Sequence, residues 1–251
     1  MNNKMYVTFC VDCSNDMDGT AIQTVNRIVA AFMRSVLEQK RLANAVEYLF
    51  TGCRAYENQQ FQRPEDMRDV SGRLVMKHKW IQIAADSERK LSYPVFQTGD
   101  MSRCLSITID KVHKAQITKM NDSRKCGVAV YTGLLLVIAD GGEALKNTGP
   151  DEMAISKKLA AYCTGQMAEQ CHIVPILIDL HGESANNRLK QLSAGFPDSY
   201  VRLGPDGRDD LDLRRCFSAI LTAVNQSISS QSRREQVNAT VASELKKLKN
   251  T

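Results

Sequence analysis

Oxygen-bearing side chains gather where two apolar runs of the sequence end. The run MYVTFCVD stops at Asp12, Ser14 and Asp16 follow it at two-residue spacing, and the run LLLVIAD stops at Asp140. Open α/β sheets bind ligands beyond the carboxyl ends of their strands, where side chains from distant parts of the chain can converge. Carboxylate and hydroxyl oxygens suit Mg²⁺, Mn²⁺ or Ca²⁺ and not a soft metal. These four residues therefore predict a site for a hard cation at one edge of a sheet.

Simpler interpretations of the same residues stay open. Asp16 and Asp18 could cap a helix that begins near Thr20, because aspartate is favoured at that position. Asp140 precedes two glycines and could serve only to shape a turn.

The order of the apolar runs indicates how these residues are positioned. Short β-rich runs, which we interpret as buried strands, lie at 5–12, 45–52, 134–140, 172–179 and 199–204. Segments with helical apolar spacing lie at Thr20–Lys40, Ser102–Gln116, Asp151–Glu169, 211–228 and 236–249. This alternation predicts an α/β fold: a doubly wound, mostly parallel central sheet with helices on both faces, as in Rossmann-like domains.

The chain contains no internal repeat, low-complexity tract or Gly/Ser linker. We therefore predict one domain over 1–230, followed by a basic amphipathic helix or tail over 231–251. Residues 63–97 are predicted to be an insertion whose structure the pattern leaves open. Within the wider range 54–97, the segments YENQQFQ and RLVMKHKWIQI have the alternation of short strands, and we expect one short antiparallel edge strand.

Composition narrows the class of protein. The chain has 251 residues, is 43% hydrophobic and can bury a large core, while its longest apolar run, YTGLLLVIA, is too short to span a bilayer. No signal-peptide pattern follows the first methionine, so we expect a cytoplasmic protein with no membrane partner.

The eight cysteines are dispersed, and Cys10 and Cys13, spaced like half of a zinc site, are expected to be buried reduced thiols. Residues 231–251 carry +3 of the net charge of +5, which is weak evidence for nucleic-acid binding, and we expect none.

The residues at the strand ends resemble a known family, the von Willebrand factor type A (vWA) domains. Their metal-ion-dependent adhesion site opens with a D-x-S-x-S loop after the first strand, which DCSND matches at Asp12 and Ser14, and includes a D-G pair that resembles Asp140-Gly141. The segments DGTAIQTVNRIVAAF and HIVPILID are similar to the family's first helix and a later strand. The resemblance implies a vWA fold and a bound cation whose open position takes an acidic residue of a partner protein. Among relatives the chain most resembles the bacterial cytoplasmic tellurium-resistance type, which implies a stress or defence assembly.

The sequence departs from the family pattern at two positions. The family supplies a threonine from a G-G-T loop, and the matching stretch QTGDMSRCL places Met101 there. A thioether is a poor ligand for a hard cation, which leaves two alternatives: Thr98, Asp100 or Ser102 takes its place after a small shift of the loop, or the site is degenerate and lacks this ligand. Asp16 replaces the second serine of the loop, and its charge should raise cation affinity and weaken the attraction for a partner's carboxylate.

Three functions are compatible with the predicted site. A protein-binding module with a cation site agrees best with a set of oxygen ligands that has no nucleophile or general base beside it. A metal-free scaffold that acts through its helical tail comes next. A Mg²⁺-dependent phosphohydrolase that uses Asp12 is less favoured, because the residue two positions later is Ser14 and not a carboxylate, and no phosphate-binding glycine motif occurs. We therefore predict that the chain is not an enzyme.

Overall fold

The fold is known from a computed structural model. It describes residues 3–37, 45–53, 81–82, 96, 98, 105–131, 133–140, 157–158, 161–162, 171–178, 190, 192, 200–203, 218–222, 243–244 and 246–247.

A mostly parallel sheet forms the centre of the described part of the chain. Its strands are β1 (Asn3–Asp12), β2 (Val46–Cys53), β3 (Ile81–Gln82), β4 (Ala129–Val130), β5 (Gly133–Ala139), β6 (Cys171–Ile178) and β7 (Val201–Leu203). The strand order is β3-β2-β1-β5-β6-β7, and β4 pairs with the start of β1. Each pairing is parallel except that of β3 with β2. The predicted doubly wound α/β fold with one short antiparallel edge strand is therefore confirmed.

Two long helices of the described part of the chain flank this sheet, one on each face. Helix α1 spans Thr20–Leu37 and helix α2 spans Leu105–Lys125. Side chains of successive strand residues point to opposite faces, so Phe9 packs edge-on against Phe32 of α1 while Cys10 joins the layer that contains Leu105 of α2. Strands β5 and β6 are buried along their whole lengths, as expected for central strands covered on both faces.

The two faces separate Cys10 from Cys13. Cys10 lies in the α2 layer, whereas Cys13 lies in the α1 layer and its thiol donates a hydrogen bond to the Val11 carbonyl at 3.5 Å. Both are free and buried. The prediction of buried structural thiols at these positions is confirmed.

Helix α2 is longer than predicted at its carboxyl end, so the boundary at Gln116 was wrong. The polar residues after Gln116 hide the helical pattern, but Met120 is fully buried and the Ser123 hydroxyl lies 2.6 Å from the Tyr6 hydroxyl. The helix ends in a Schellman turn: Gly127 has φ +78°, and the backbone N–H of Val128 donates to the Ser123 carbonyl at 3.0 Å. Tertiary contacts along one side thus extend the helix by more than two turns beyond the predicted end.

The other predicted segments are described in part. Helical residues occur at 157–158 and 161–162, at 218–222, and at 243–244 and 246–247, within the three later predicted helices. Within the proposed insertion, β3 pairs with β2 at the sheet edge and Phe96 is buried in the α1 layer. The segment YENQQFQ and the rest of 63–97 lie outside the described residues, as do most of 231–251. Among the helices that are described, none combines the length and apolarity needed to cross a membrane.

A buried glutamine joins α2 to an interruption in strand pairing. Between the pairing of β1 with β4 and its pairing with β5, the amide Nε2 of Gln116 donates to the Tyr6 carbonyl at 2.9 Å and to the Leu134 carbonyl at 3.1 Å. Gly133 makes room for it, because a Cβ there would lie 2.4 Å from that amide nitrogen. One side chain therefore donates to a backbone carbonyl on each of two adjacent strands.

A buried histidine makes stability depend on pH. His113 of α2 is fully buried, its ring stacks on that of Tyr162 at 4.1 Å, and neither ring nitrogen has a hydrogen-bond partner within the described structure. Burial lowers the pKa of His113 to about 4, an effect that Asp110 opposes and Lys114 reinforces. Its ordinary pKa is 6.5, so the unfolded chain takes up a proton below that pH while the folded chain stays neutral.

We therefore expect stability to be lost as pH falls from about 6.5 towards 4, by roughly 2 kcal/mol for this residue between pH 7 and pH 5. The measurement is urea unfolding of the wild type and of His113→Phe, which keeps the ring stack, at both pH values. The variant should lose less stability than the wild type over this interval. Equal losses would mean that His113 is protonated in the folded state.

Candidate metal site at the carboxyl edge of the sheet

Strand order brings the two predicted strand-end carboxylates together. The chain leaves β1 towards β2 on one side, and β5 pairs with β1 on the other, so the direction of winding reverses between β1 and β5. Val11 is paired with Ile138, which places Asp12 and Asp140 just beyond adjacent strand ends. This reversal point is where doubly wound sheets open a crevice for ligands.

Three of the predicted ligands are buried at this point. The relative exposures of Asp12, Ser14 and Asp140 are 2%, 2% and 1%. The Ser14 backbone N–H donates to Oδ1 of Asp12 at 2.9 Å, which turns the chain back towards the carboxylate. Oδ2 of Asp12 and Oγ of Ser14 have no hydrogen-bond partner of good geometry within the described structure. Buried polar atoms are rarely left unpartnered unless a ligand, an ion or water satisfies them.

A short 3₁₀ turn fixes the loop that carries these oxygens. It spans Asn15–Met17, the Met17 N–H donates to the Ser14 carbonyl and the Asp18 N–H to the Asn15 carbonyl, each at 3.0 Å, and Met17 is fully buried. Gly19 follows with φ +76°, a left-handed conformation that favours glycine, and α1 begins at the next residue. The loop is thus anchored at both ends by buried structure.

The site concentrates negative charge in a buried place. The pKa of Asp12 is raised from 3.8 to about 7, by burial first and by the neighbouring Asp140 second, although hydrogen bonding from Ser14 acts in the opposite direction. Two carboxylates that share a dry site repel each other unless a proton or a cation lies between them. The electrostatics therefore favour a bound cation.

The donor set fits a hard divalent cation. Asp12, Ser14 and Asp140 offer only oxygen, which Mg²⁺, Mn²⁺ and Ca²⁺ prefer, and two carboxylates balance a charge of +2. The described residues contain no soft-metal site, because no group of three or more His, Cys, Asp or Glu side chains among them could hold a metal. If a cation binds, these three residues would hold it and it would supply a positive charge at the sheet edge.

The other predicted ligands lie differently. Asp16 is exposed on the 3₁₀ turn, so it is at the rim of the site and not within it. Thr98 is half-buried, and its hydroxyl donates to Oδ1 of Asp18 at 2.9 Å. Asp100 and Met101 lie outside the described residues. That an oxygen-bearing neighbour replaces Met101 as a ligand therefore stays a prediction.

Sequence reasoning missed the residue that anchors the Thr98 segment. The Asn26 side chain of α1 bonds both backbone groups of Phe96: its Nδ2 donates to the Phe96 carbonyl at 2.9 Å, and its Oδ1 accepts from the Phe96 N–H at 2.7 Å. The Asn26 amide thus pairs with the backbone of Phe96 as the peptide group of a neighbouring strand would. It joins two segments that are 70 residues apart in the sequence. The sequence offered one weak signal, an asparagine within a predicted helix, because asparagine is not a strong helix former.

Comparison with known structures identifies the architecture. No family model and no curated protein sequence matches the chain. The vWF domain of the type V pili tip protein Mfa5 from Porphyromonas gingivalis superposes with a TM-score of 0.51 over 89% of this chain and 97% of that one. The fold is vWA-like.

A second solved structure, a mutant of the PilB minor pilin from Streptococcus sanguinis, agrees with this fold. It superposes with a TM-score of 0.50 over 91% of this chain, but this chain covers only 63% of the pilin. Sequence identity is 8% in each comparison, so these likenesses show the fold alone. The predicted vWA resemblance is confirmed at the level of the fold.

Proposed function

We propose that this vWA-like chain is a non-enzymatic protein-binding module that holds Mg²⁺, Mn²⁺ or Ca²⁺ on Asp12, Ser14 and Asp140. The cation would bind the carboxylate of an aspartate or glutamate on a partner protein. One observation carries the proposal: two buried oxygens, Asp12 Oδ2 and Ser14 Oγ, lie beside a second buried carboxylate and have no hydrogen-bond partner of good geometry among the described residues. Asp16, Thr98 and Asp100 are proposed as further ligands from the rim of the site.

The number of protein ligands leaves room for a partner. Hard divalent cations take six or more oxygen ligands, and Mg²⁺ usually keeps several waters. Three side chains therefore leave positions that water or a partner's carboxylate can fill. An acidic partner residue is the natural ligand, because it adds the charge-assisted contact that such a cation prefers.

The described histidines favour binding over hydrolysis. His172 is at the start of β6, at the opposite end of the parallel sheet from Asp140. Burial lowers its pKa to about 3, so it stays neutral at physiological pH. His113 is buried on α2 with its ring stacked on that of Tyr162. Neither is placed to act as a general base for water bound at Asp12.

The proposed setting is the cytoplasm, within a stress or defence assembly of the tellurium-resistance type. The support is the sequence resemblance together with free thiols at Cys10, Cys13, Cys126 and Cys171, which accord with a reducing compartment. Fractionation of cells that express the tagged chain tests the location. Recovery of the chain outside the cytoplasm would reject it.

Cation binding is tested by calorimetric titration of Mn²⁺ and Mg²⁺ into the metal-stripped protein. We expect about one equivalent to bind the wild type and Asp140→Ala to lose at least tenfold in affinity, because the variant removes one of two carboxylates. Asp122→Ala is the matched control: this carboxylate is exposed on α2 and pairs with Lys125, so binding should be unchanged. Equal affinity in all three proteins would exclude the site.

Docking of an acidic group is tested on the Mn²⁺-loaded protein. The relaxation of water protons by bound Mn²⁺ should fall when a short peptide with one glutamate displaces a coordinated water. The same peptide with glutamine in that place should leave the relaxation unchanged. If both peptides act alike, the cation does not select carboxylates.

A further inference from the structure

We infer that the contact between α2 and the Tyr162 segment is a pH switch: it is closed while the His113 ring is neutral and opens locally when that ring takes up a proton. The Tyr162 segment is the set of helical residues 157–158 and 161–162. The inference goes beyond the proposed cation site and involves none of the residues that would bind the cation.

Two side-chain contacts join α2 to the Tyr162 segment. The His113 ring is stacked on the Tyr162 ring, with the ring centroids 4.1 Å apart and an angle of 12° between the ring planes. The Tyr162 hydroxyl donates to Oδ1 of Asp110 at 2.7 Å, and the Lys114 ammonium donates to Oδ2 of the same carboxylate at 2.6 Å. Both contacts therefore reach the segment through one tyrosine side chain.

The closed contact cannot accommodate a charged His113. The residue has no exposed surface, and neither of its ring nitrogens has a hydrogen-bond partner among the described residues. An imidazolium carries two N–H donors, and a buried charge without a partner is strongly unfavourable. A protonated ring is therefore stable only where water reaches it, which requires the stack on Tyr162 to open.

The charged groups around His113 do not provide that partner. On α2, Asp110 favours the protonated ring and Lys114 opposes it, but both oxygens of Asp110 already accept hydrogen bonds. On the Tyr162 segment, Lys158 acts on Asp110, and Tyr162 is neutral because burial first and Asp110 second raise its pKa to about 12. The described strand residues whose titratable side chains alternate towards the α2 face are Lys4, Tyr6, Cys10, Asp12, Glu47 and Cys171.

Proton binding gives the switch a definite direction. Burial lowers the pKa of His113 in the closed contact to about 4, whereas a ring in water has the ordinary pKa of 6.5. Between these two values only the open form binds the proton, so each unit by which the pH falls favours opening by about tenfold. Between pH 7 and pH 5 the ratio of open to closed contact should rise roughly twentyfold.

The test is backbone hydrogen exchange of the full chain by NMR at pH 7 and pH 5, in several urea concentrations below the unfolding transition. Each rate is divided by that of an unstructured chain at the same pH. For the amides of Ala161 and Tyr162, the opening ratio should rise roughly twentyfold and depend little on urea, because a local opening exposes little surface. The amides of Leu135 and Val137 in β5 should exchange only through urea-dependent global unfolding.

Three variants separate the titrating group from the rest of the contact. His113→Phe keeps a ring on Tyr162 but cannot take up a proton, so opening at Ala161 and Tyr162 should be the same at both pH values. His172→Phe is the matched control: this buried histidine of β6 has a pKa lowered to about 3 but is not part of the contact, so the twentyfold rise should remain. Tyr162→Phe keeps the stack and loses the bond to Asp110, so it should open roughly tenfold more at both pH values.

Two results would overturn the inference. If Ala161 and Tyr162 exchange at pH 5 with the urea dependence of β5, only global unfolding exposes His113, and this wild-type result decides the question even where a variant fails to fold. If His113→Phe keeps the pH-dependent rise, another group titrates. Neither result bears on the cation site, because the wild type and all three variants keep Asp12, Ser14 and Asp140.

Discussion

Asp12→Asn is expected to stabilise the metal-free protein and to abolish its stabilisation by Mn²⁺ or Mg²⁺. Asp12 is buried beside Asp140, and its pKa is raised from 3.8 to about 7 by burial first and by that neighbour second. Above pH 7 the folded protein must keep this carboxylate ionised in a dry site, at a cost of roughly 2–4 kcal/mol. Asparagine has nearly the same shape without the charge.

The measurement is thermal unfolding at pH 8 with and without millimolar Mn²⁺. Without metal, the variant should unfold several degrees above the wild type, at about 2–4 °C for each kcal/mol in a chain of this size. With metal at a hundred times its dissociation constant, the wild type should gain about 2.7 kcal/mol and the variant nothing. Asp122→Asn, an exposed carboxylate paired with Lys125, should leave both values unchanged.

The effect of Asp12→Asn also has a predicted pH dependence. The folded-state pKa of Asp12 is raised, so below about pH 7 the folded wild type holds a proton that the unfolded chain does not, and the penalty shrinks as pH falls from about 7 and is gone only below 3.8. The advantage of the variant in metal-free protein should therefore shrink between pH 8 and pH 5. A variant that is less stable than the wild type at pH 8 and still responds to Mn²⁺ would show that Asp12 is a structural carboxylate.

Gly133→Ala is expected to destabilise the fold by roughly 2–5 kcal/mol, because it displaces the amide that satisfies two buried carbonyls. The added Cβ would lie 2.4 Å from Gln116 Nε2 and 2.9 Å from Met120 Sδ. The methionine can move, but the amide is held by the carbonyls of Tyr6 and Leu134. Moving it breaks both of these buried hydrogen bonds.

A double-mutant cycle shows whether the glutamine carries the effect. Gln116→Ala loses the same two hydrogen bonds without a clash, so adding Gly133→Ala to it should cost little more. Urea unfolding of the wild type, both single variants and the double variant measures the coupling. Additive losses would place the role of Gly133 elsewhere, in the backbone of β5.

Both effects follow from one property of the sheet. Parallel strands covered on both faces exclude water, so an ionised carboxylate or an open carbonyl there costs far more than at the surface. The Gln116 bridge satisfies such groups inside the sheet. The carboxylates of Asp12 and Asp140 are buried in the same way, and the proposed cation would compensate their charge.

The sequence by itself determined the element types and the place of the site. Buried parallel strands are nearly continuous apolar runs, so β1, β2, β5 and β6 can be recognised without a structure. An aspartate at the end of such a run must lie at the carboxyl edge of the sheet, which located Asp12 and Asp140. The end of α2 was mistaken because polar residues there continue the helix through contacts, among them Tyr6 with Ser123, and not through an apolar pattern.

Only the tertiary structure decided which of these residues meet. Strand order placed β5 beside β1, and so brought two aspartates 128 positions apart to neighbouring strand ends. The contacts of Asn26 with Phe96, Asp18 with Thr98 and Gln116 with Tyr6 join residues that are 70, 80 and 110 positions apart. Periodicity reports on residues within one element, whereas these contacts depend on how separate elements pack. The burial that leaves Asp12 Oδ2 and Ser14 Oγ without partners, and so makes the site attractive to a cation, arises from that packing.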